Sequence, residues 1–172
     1  MSSLPQLFMR HPDISTLPPL ILPEGFSIHT HVDGMEEIWE NLIDDAFGSH
    51  FSFDSFIKNG GGYRPEYVIY ISKDGKDIAT TTAIENEKYP GEGWFRMVAV
   101  SPQARGLGAG RMVALAALHS LAKRGYKTVL LSTDDQRIPA ICMYLSLGFE
   151  PVYSHESHKE RWDKVFNIIK KN

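Results

Sequence analysis

The stretch VAVSPQARGLGAGR, Val98 to Arg111, constrains this chain more than any other. An apolar run ends at Ser101-Pro102, a glycine-dense turn follows, and a long apolar segment begins. That order predicts strand, loop and helix, with Gly106, Gly108 and Gly110 at the junction. Glycines let a backbone approach a ligand closely and present bare N–H groups to it. A helix start adds partial positive charge, so the junction suits a phosphate. Arg105 and Arg111 flank it with permanent charge. A turn that merely connects two elements would use the same residues. The glycine spacing is not the dinucleotide fingerprint, which needs its third glycine one residue later. It is not a Walker loop, because no Gly-Lys-Ser/Thr follows.

A second pattern lies downstream, in TDDQRIPAICMYLSLGF, Thr133 to Phe149. Pro139 suits a helix's first turn and Gly148 its end. The first pattern, Gln103 to Gly108, resembles the acyl-CoA loop of the GNAT superfamily of N-acetyltransferases, Gln/Arg-x-x-Gly-x-Gly/Ala. The second resembles that superfamily's Asn-x-x-Ala-x-x-x-Tyr-x-x-x-Gly-Phe, with Ala140, Tyr144, Gly148 and Phe149 in register and Arg137 at the asparagine position. The resemblance covers residues 25–154 and looks most like the mycothiol-synthase-like branch. It implies an α/β (α+β) fold with a mixed central sheet, splayed parallel strands and flanking helices.

Length and composition agree with one globular domain. The chain has 172 residues and a net charge of −3, which gives no sign of a general nucleic-acid binder. No apolar run reaches membrane-spanning length, and no secretory leader is visible at Met1. Cys142 is the single cysteine, so a reducing cytoplasmic setting is the simplest reading.

Taken in order, residues 1–24 hold five prolines and several apolar residues, which predicts an extended arm lying on the domain with one short edge strand. The domain itself is expected over 25–172. Residues 25–32 alternate as a strand, and Asp33 with Glu36 reads as a capping box for a helix through Phe47. Residues 51–58 suggest a second short helix. Strands are expected at 66–72, 77–85 and 94–100, the first two joined by a tight turn at Lys73 to Lys76. A buried helix over 107–124 leads to a strand at 127–133 that should lie parallel to 94–100. A returning strand is expected at 149–154. The superfamily adds a last strand after it, whereas here Trp162, Val165, Phe166 and Ile169 have helical spacing over 159–170.

The resemblance implies transfer of an acetyl group from acetyl-CoA to a primary amine of a small molecule or peptide. Pantetheine would bond the backbone of Met97, Val98, Ala99 and Val100. The pyrophosphate would sit on Gln103, Arg105, Gly106, Leu107, Gly108, Ala109, Gly110 and Arg111. Tyr144 would protonate the departing thiolate. The superfamily often uses a carboxylate near the start of the central strand as base, but Trp94 stands there. Glu85 and Glu92 are substitutes, and a water relay is another route. A missing base favours an amine of low pKa. Phe51, Phe53, Phe56 and Tyr63 are candidates for the acceptor wall, with core packing the alternative. The histidines lack the converging ligands a metal needs. Asp134 and Asp135 read as caps of the following helix. The competing class is a catalytically silent acyl-CoA-binding sensor or interaction module. Exposed edge strands and the terminal helix leave room for a homodimer.

Overall fold

The computed structural model describes residues 4–60 and 62–171. Seven strands form one sheet in the order β2-β3-β4-β5-β6-β1-β7. The strands are β1 (Leu7–His11), β2 (Phe26–Thr30), β3 (Val68–Lys73), β4 (Lys76–Glu85), β5 (Gly93–Val100), β6 (Val129–Thr133) and β7 (Glu150–Val152). The helices are α1 (Glu36–Phe47), α2 (Phe53–Phe56), α3 (Ala109–Lys123), α4 (Ile138–Ser146) and α5 (His158–Ile169). Only β5 and β6 run parallel; every other neighbouring pair is antiparallel. A parallel pair needs a crossover, and α3 supplies it.

Strand alternation sends successive side chains to opposite faces. On one face Ile69, Ile71, Ala83, Phe95 and Leu131 pack beneath α3. That helix is apolar on nearly all sides and buries Val113, Ala114, Ala117, Leu118 and Leu121. On the other face Val68, Tyr70 and Ala99 meet Trp39, Leu42 and Ile43 of α1 and Phe53 of α2. The turn joining β3 to β4 has Asp74 and Gly75 both at positive φ, 50° and 80°, as a two-residue hairpin of this hand requires.

The largest departure from expectation is the first strand. Residues 7–11 are no edge and no separate arm. They pair with β6 along their whole length, Leu7 opposite Thr133 through His11 opposite Val129. On their other side they pair with β7. Leu7 and Met9 are fully buried in the α3-side core, together with Trp162 and Val165 of α5. The chain after β7 enters α5 rather than a further strand, so β1 is the strand beside β7. Arg161 ties this corner together: its Nε donates to Asp135 at 2.8 Å, and a terminal nitrogen donates to the Pro5 carbonyl at 2.7 Å. Gly148, at φ 99°, is needed here because a Cβ would lie 2.9 Å from the His11 ring, which itself bonds the Leu147 carbonyl.

One smaller correction concerns the capping box expected from Asp33 and Glu36. Helix α1 starts at Glu36 with Met35 as N-cap, and no side chain caps it. Glu36 instead accepts from the Gly34 N–H at 2.8 Å. Helix α2 is capped by Ser52, whose hydroxyl accepts from Ser55.

The interior position of β1 has a measurable consequence. Leu7→Ala should cost about 2–5 kcal/mol in chemical denaturation, as deletion of a buried leucine does. Leu4→Ala, at a residue 60% exposed, should stay within about 0.5 kcal/mol of the parent. Equal small effects would place this segment on the surface instead.

Candidate active site

Strands β5 and β6 pair at only two positions, Gly93 with Val129 and Trp94 with Leu130. Beyond Trp94 they diverge. A cavity of about 290 Å³ opens between them, walled by Phe95 to Val98 on one side and Leu131 to Thr133 on the other. Tyr144 and Ala140 of α4 close one flank, and Phe47, Asn86, Arg96 and Arg137 line the rest. The facing backbone edges of the two strands are therefore free to bond an extended ligand, as in strand addition.

A bulge shapes the β5 edge. Thr80 pairs with Ala99 and Thr82 with Arg96, so Met97 and Val98 together oppose Thr81. Met97 adopts φ 56°, a left-handed conformation that costs a non-glycine residue about 1–2 kcal/mol. The Thr81 hydroxyl donates to the Arg96 carbonyl at 3.1 Å and pins the strand just before the bulge. The strain therefore sits where the backbone must turn its amides toward the gap.

At the far end of β5, Ser101 and Pro102 to Ala104 form a 3-10 turn into the glycine loop. Gly106 and Gly108 hold φ 82° and 79°, and Gly108 is the N-cap of α3. No side chain caps that helix. Among the described residues, the N–H groups of Gly106, Gly108, Ala109, Gly110 and Arg111 have no backbone acceptor. Five open donors at the start of a 15-residue helix form an anion cradle. Arg105 and Arg111 are exposed beside it, and Arg111 also donates to the Ser146 hydroxyl of α4 at 2.8 Å. Leu107 stands out into solvent, 44% exposed. Gln103 accepts from the Ser101 hydroxyl, so its side chain braces the turn from within. A second cavity, of about 430 Å³, lies between α1 and the β3–β4 turn and touches this region only at Ser101 and Gln103.

Tyr144 is nearly fully buried, with its ring against Phe95 at 6.0 Å and Phe149 at 5.8 Å. Burial pushes its pKa above the ordinary phenol value, and the charge of Arg137 only partly opposes this. The hydroxyl is thus a protonated donor at the cavity wall at neutral pH. Cys142, two residues earlier, is half-buried and does not line the cavity.

The charged groups of the cavity differ from expectation. Asp134 caps no helix; it accepts from Gln6 at 3.0 Å and from Arg137 at 3.3 Å. Arg137 also stacks over Phe47 at 4.2 Å. Asp135 is the partner of Arg161, and this hydrogen bond holds its carboxyl below the usual range. Glu85 is exposed at the end of β4 and does not line the cavity. Glu92 is engaged with Arg10 of β1. Phe51, Phe53, Phe56 and Tyr63 do not line it either; Phe53 is core, stacked on His31 at 4.4 Å. The aromatic from this region that reaches the cavity is Phe47. Gln6, Asn86 and Arg96 were not anticipated. A lone arginine inside the apolar run of β5 was the one available signal. Among the described residues no group of three or more His, Cys, Asp or Glu converges as a metal site.

A family model described as the acetyltransferase (GNAT) family matches residues 33–149, the span that runs from α1 through β3 to β6 and the glycine loop to the end of α4. The chain belongs to the GNAT family. Mycothiol acetyltransferase of Thermomonospora curvata is 32% identical over 152 residues, covering 83% of this chain and 50% of that protein. Mycothiol acetyltransferase of a Nocardioides species is 45% identical over 166 residues, covering 82% and 55%. The chain thus spans about half the length of these curated relatives. Among solved structures, a GCN5-related N-acetyltransferase from Sphaerobacter thermophilus superposes with a TM-score of 0.71 at 24% identity, covering 87% of this chain and 50% of that one. That likeness supports the fold.

The cradle makes a direct prediction for this GNAT chain. Gly108→Ala forces a side chain into φ 79° and should destabilise the fold by about 1–2 kcal/mol. It should also weaken CoA binding at least about tenfold, since it disturbs open donors that act together. Calorimetric titration with CoA alongside a thermal melt reads both, and unchanged CoA affinity would remove the loop from the binding site.

Proposed function

We propose that this chain is an acetyl-CoA-dependent N-acetyltransferase acting on a primary amine of a small molecule or peptide. The observation that carries the reading is the gap between β5 and β6, with Tyr144 on its wall and the open-donor loop at its end. The acyl donor enters as an extended strand-like ligand, its pyrophosphate on Gly106 to Arg111 and its pantetheine along Met97 to Val100. The family and the names of the relatives support acetyl as the transferred group.

The amine attacks the thioester carbonyl, and the carbon becomes tetrahedral. Backbone N–H groups at the Met97–Val98 bulge receive the developing oxyanion, which fixed donors stabilise without reorganisation. The nitrogen, cationic after attack, gives up one proton to water, the oxyanion re-forms the carbonyl as the C–S bond breaks, and the thiolate takes a proton from the Tyr144 hydroxyl. The raised pKa of that phenol keeps the proton available across the neutral range, and solvent restores it after each turnover.

Among the described residues no uncommitted carboxylate lines the cavity as a base, because Asp134 is held by Gln6 and Arg137. Glu85 stands outside the cavity, which leaves water as the route for the amine's proton. The reaction therefore draws on amine already free in solution, which favours an α-amine near pKa 8, partly neutral at pH 7, over a lysine-type amine near 10.4.

Acetylation of an amine panel by wild type and Tyr144→Phe tests this reading. The variant should lose about 10²–10⁴-fold in kcat, the range of general acid catalysis, while its KM for acetyl-CoA stays within about threefold. The wild-type rate should show no loss from phenol ionisation up to about pH 10, the ordinary tyrosine value. Acetyl-CoA binding without turnover of any amine would favour a silent acyl-CoA module.

A further inference from the structure

The inference rests on the transferase reading and concerns what the acceptor carries besides its amine. Arg96 lies mid-way along β5, on the cavity wall, with its side chain partly buried. Among the described residues it has no ion-pair partner and no side-chain hydrogen bond. Burial alone pushes its pKa down from the ordinary arginine value, with no neighbouring charge contributing. An arginine held partly out of water without a counter-charge is costly. The other arginine of the cavity, Arg137, is already matched by Asp134.

The other polar groups that line the cavity sharpen the point. Gln6 is engaged at both ends of its amide: the nitrogen donates to Asp134 at 3.0 Å and the oxygen accepts from Ser132 at 2.8 Å. Asn86 uses its oxygen to accept the Lys88 N–H at 3.0 Å, which leaves its amide NH₂ as the free group. Besides the Tyr144 hydroxyl, assigned above to the thiolate, the wall thus offers two donors, a guanidinium and an NH₂. Two donors with one uncompensated positive charge match one singly charged oxyanion. Glu92 and Glu85 do not supply it, the first being paired with Arg10 and the second lying outside the cavity.

We propose that the acceptor is an amine that also carries a carboxylate, and that Arg96, with Asn86, is the group that recognises it. A guanidinium receives a carboxylate through two parallel hydrogen bonds, which sets orientation as well as affinity. The same positive charge disfavours an ammonium nearby, so it selects for the free amine that the reaction needs.

Matched acceptor pairs test this. Each pair differs only in the carboxylate: a dipeptide and its C-terminal amide, an ω-amino acid and the corresponding alkylamine, an amino-uronic acid and its aminosugar. kcat/KM is measured with saturating acetyl-CoA for wild type, Arg96→Gln and Arg96→Lys. In whichever pair turns over, wild type should prefer the carboxylate by about ten- to a hundredfold, as charge-assisted hydrogen bonds do. Arg96→Gln should bring the two members within about twofold of each other, through KM for the carboxylate acceptor. Arg96→Lys should recover part of the preference, since it keeps charge and loses the fork. Equal wild-type rates within every active pair would overturn the proposal without any variant, as would a preference that survives Arg96→Gln. No turnover in any pair, with acetyl-CoA bound, would instead remove the transferase reading and the proposal with it.

Discussion

The early end of pairing between β5 and β6 is the constraint on which the site depends. Two hydrogen-bonded positions hold the strands together at Gly93 and Trp94, and the next residues have no partner across the gap. Parallel strands inside a sheet ordinarily keep their ladder, because buried backbone groups left unpaired cost free energy. Here the outer edges are secured instead. β4 holds β5 as far as Val100, and β1 holds β6 over all five of its residues. The gap is stable because both banks are anchored from behind.

That makes the N-terminal strand part of the site's architecture although it contributes little to the chemistry. Leu7 and Met9 lock β1 into the core, and Gln6, just ahead of them, reaches into the cavity and holds Asp134. The Asp135–Arg161 pair then joins the loop after β6 to α5, and Arg161 returns to the Pro5 carbonyl. Positioning of the cavity's charged groups thus depends on both ends of the described chain, far apart in sequence.

Much of this was legible from local chemistry. The glycine spacing at 106–110, the apolar helix after it and the Tyr144 to Phe149 pattern each announce themselves within a few residues, and the structure keeps them as loop, α3 and α4. The parallel relation of β5 and β6 followed from a helical crossover between them. What sequence could not convey was long-range. Nothing local tells that Leu7 to His11 will slot between β6 and β7, because five alternating residues among prolines suit an edge as well as an interior. Likewise Asp134 and Asp135 have the residue types of helix caps, and only the fold brings Gln6 and Arg161 to claim them. Phe47 rather than Phe53 reaches the cavity because Phe53 is buried in the core with Trp39, Tyr70 and His31.

Hydrogen exchange with and without CoA tests the central claim most directly. If the gap holds the acyl donor, CoA should slow exchange at the amides of Met97 to Val100 and of Gly106 to Arg111, and leave β2 and β3 unchanged. Protection confined to other elements, or none at saturating CoA, would contradict the account.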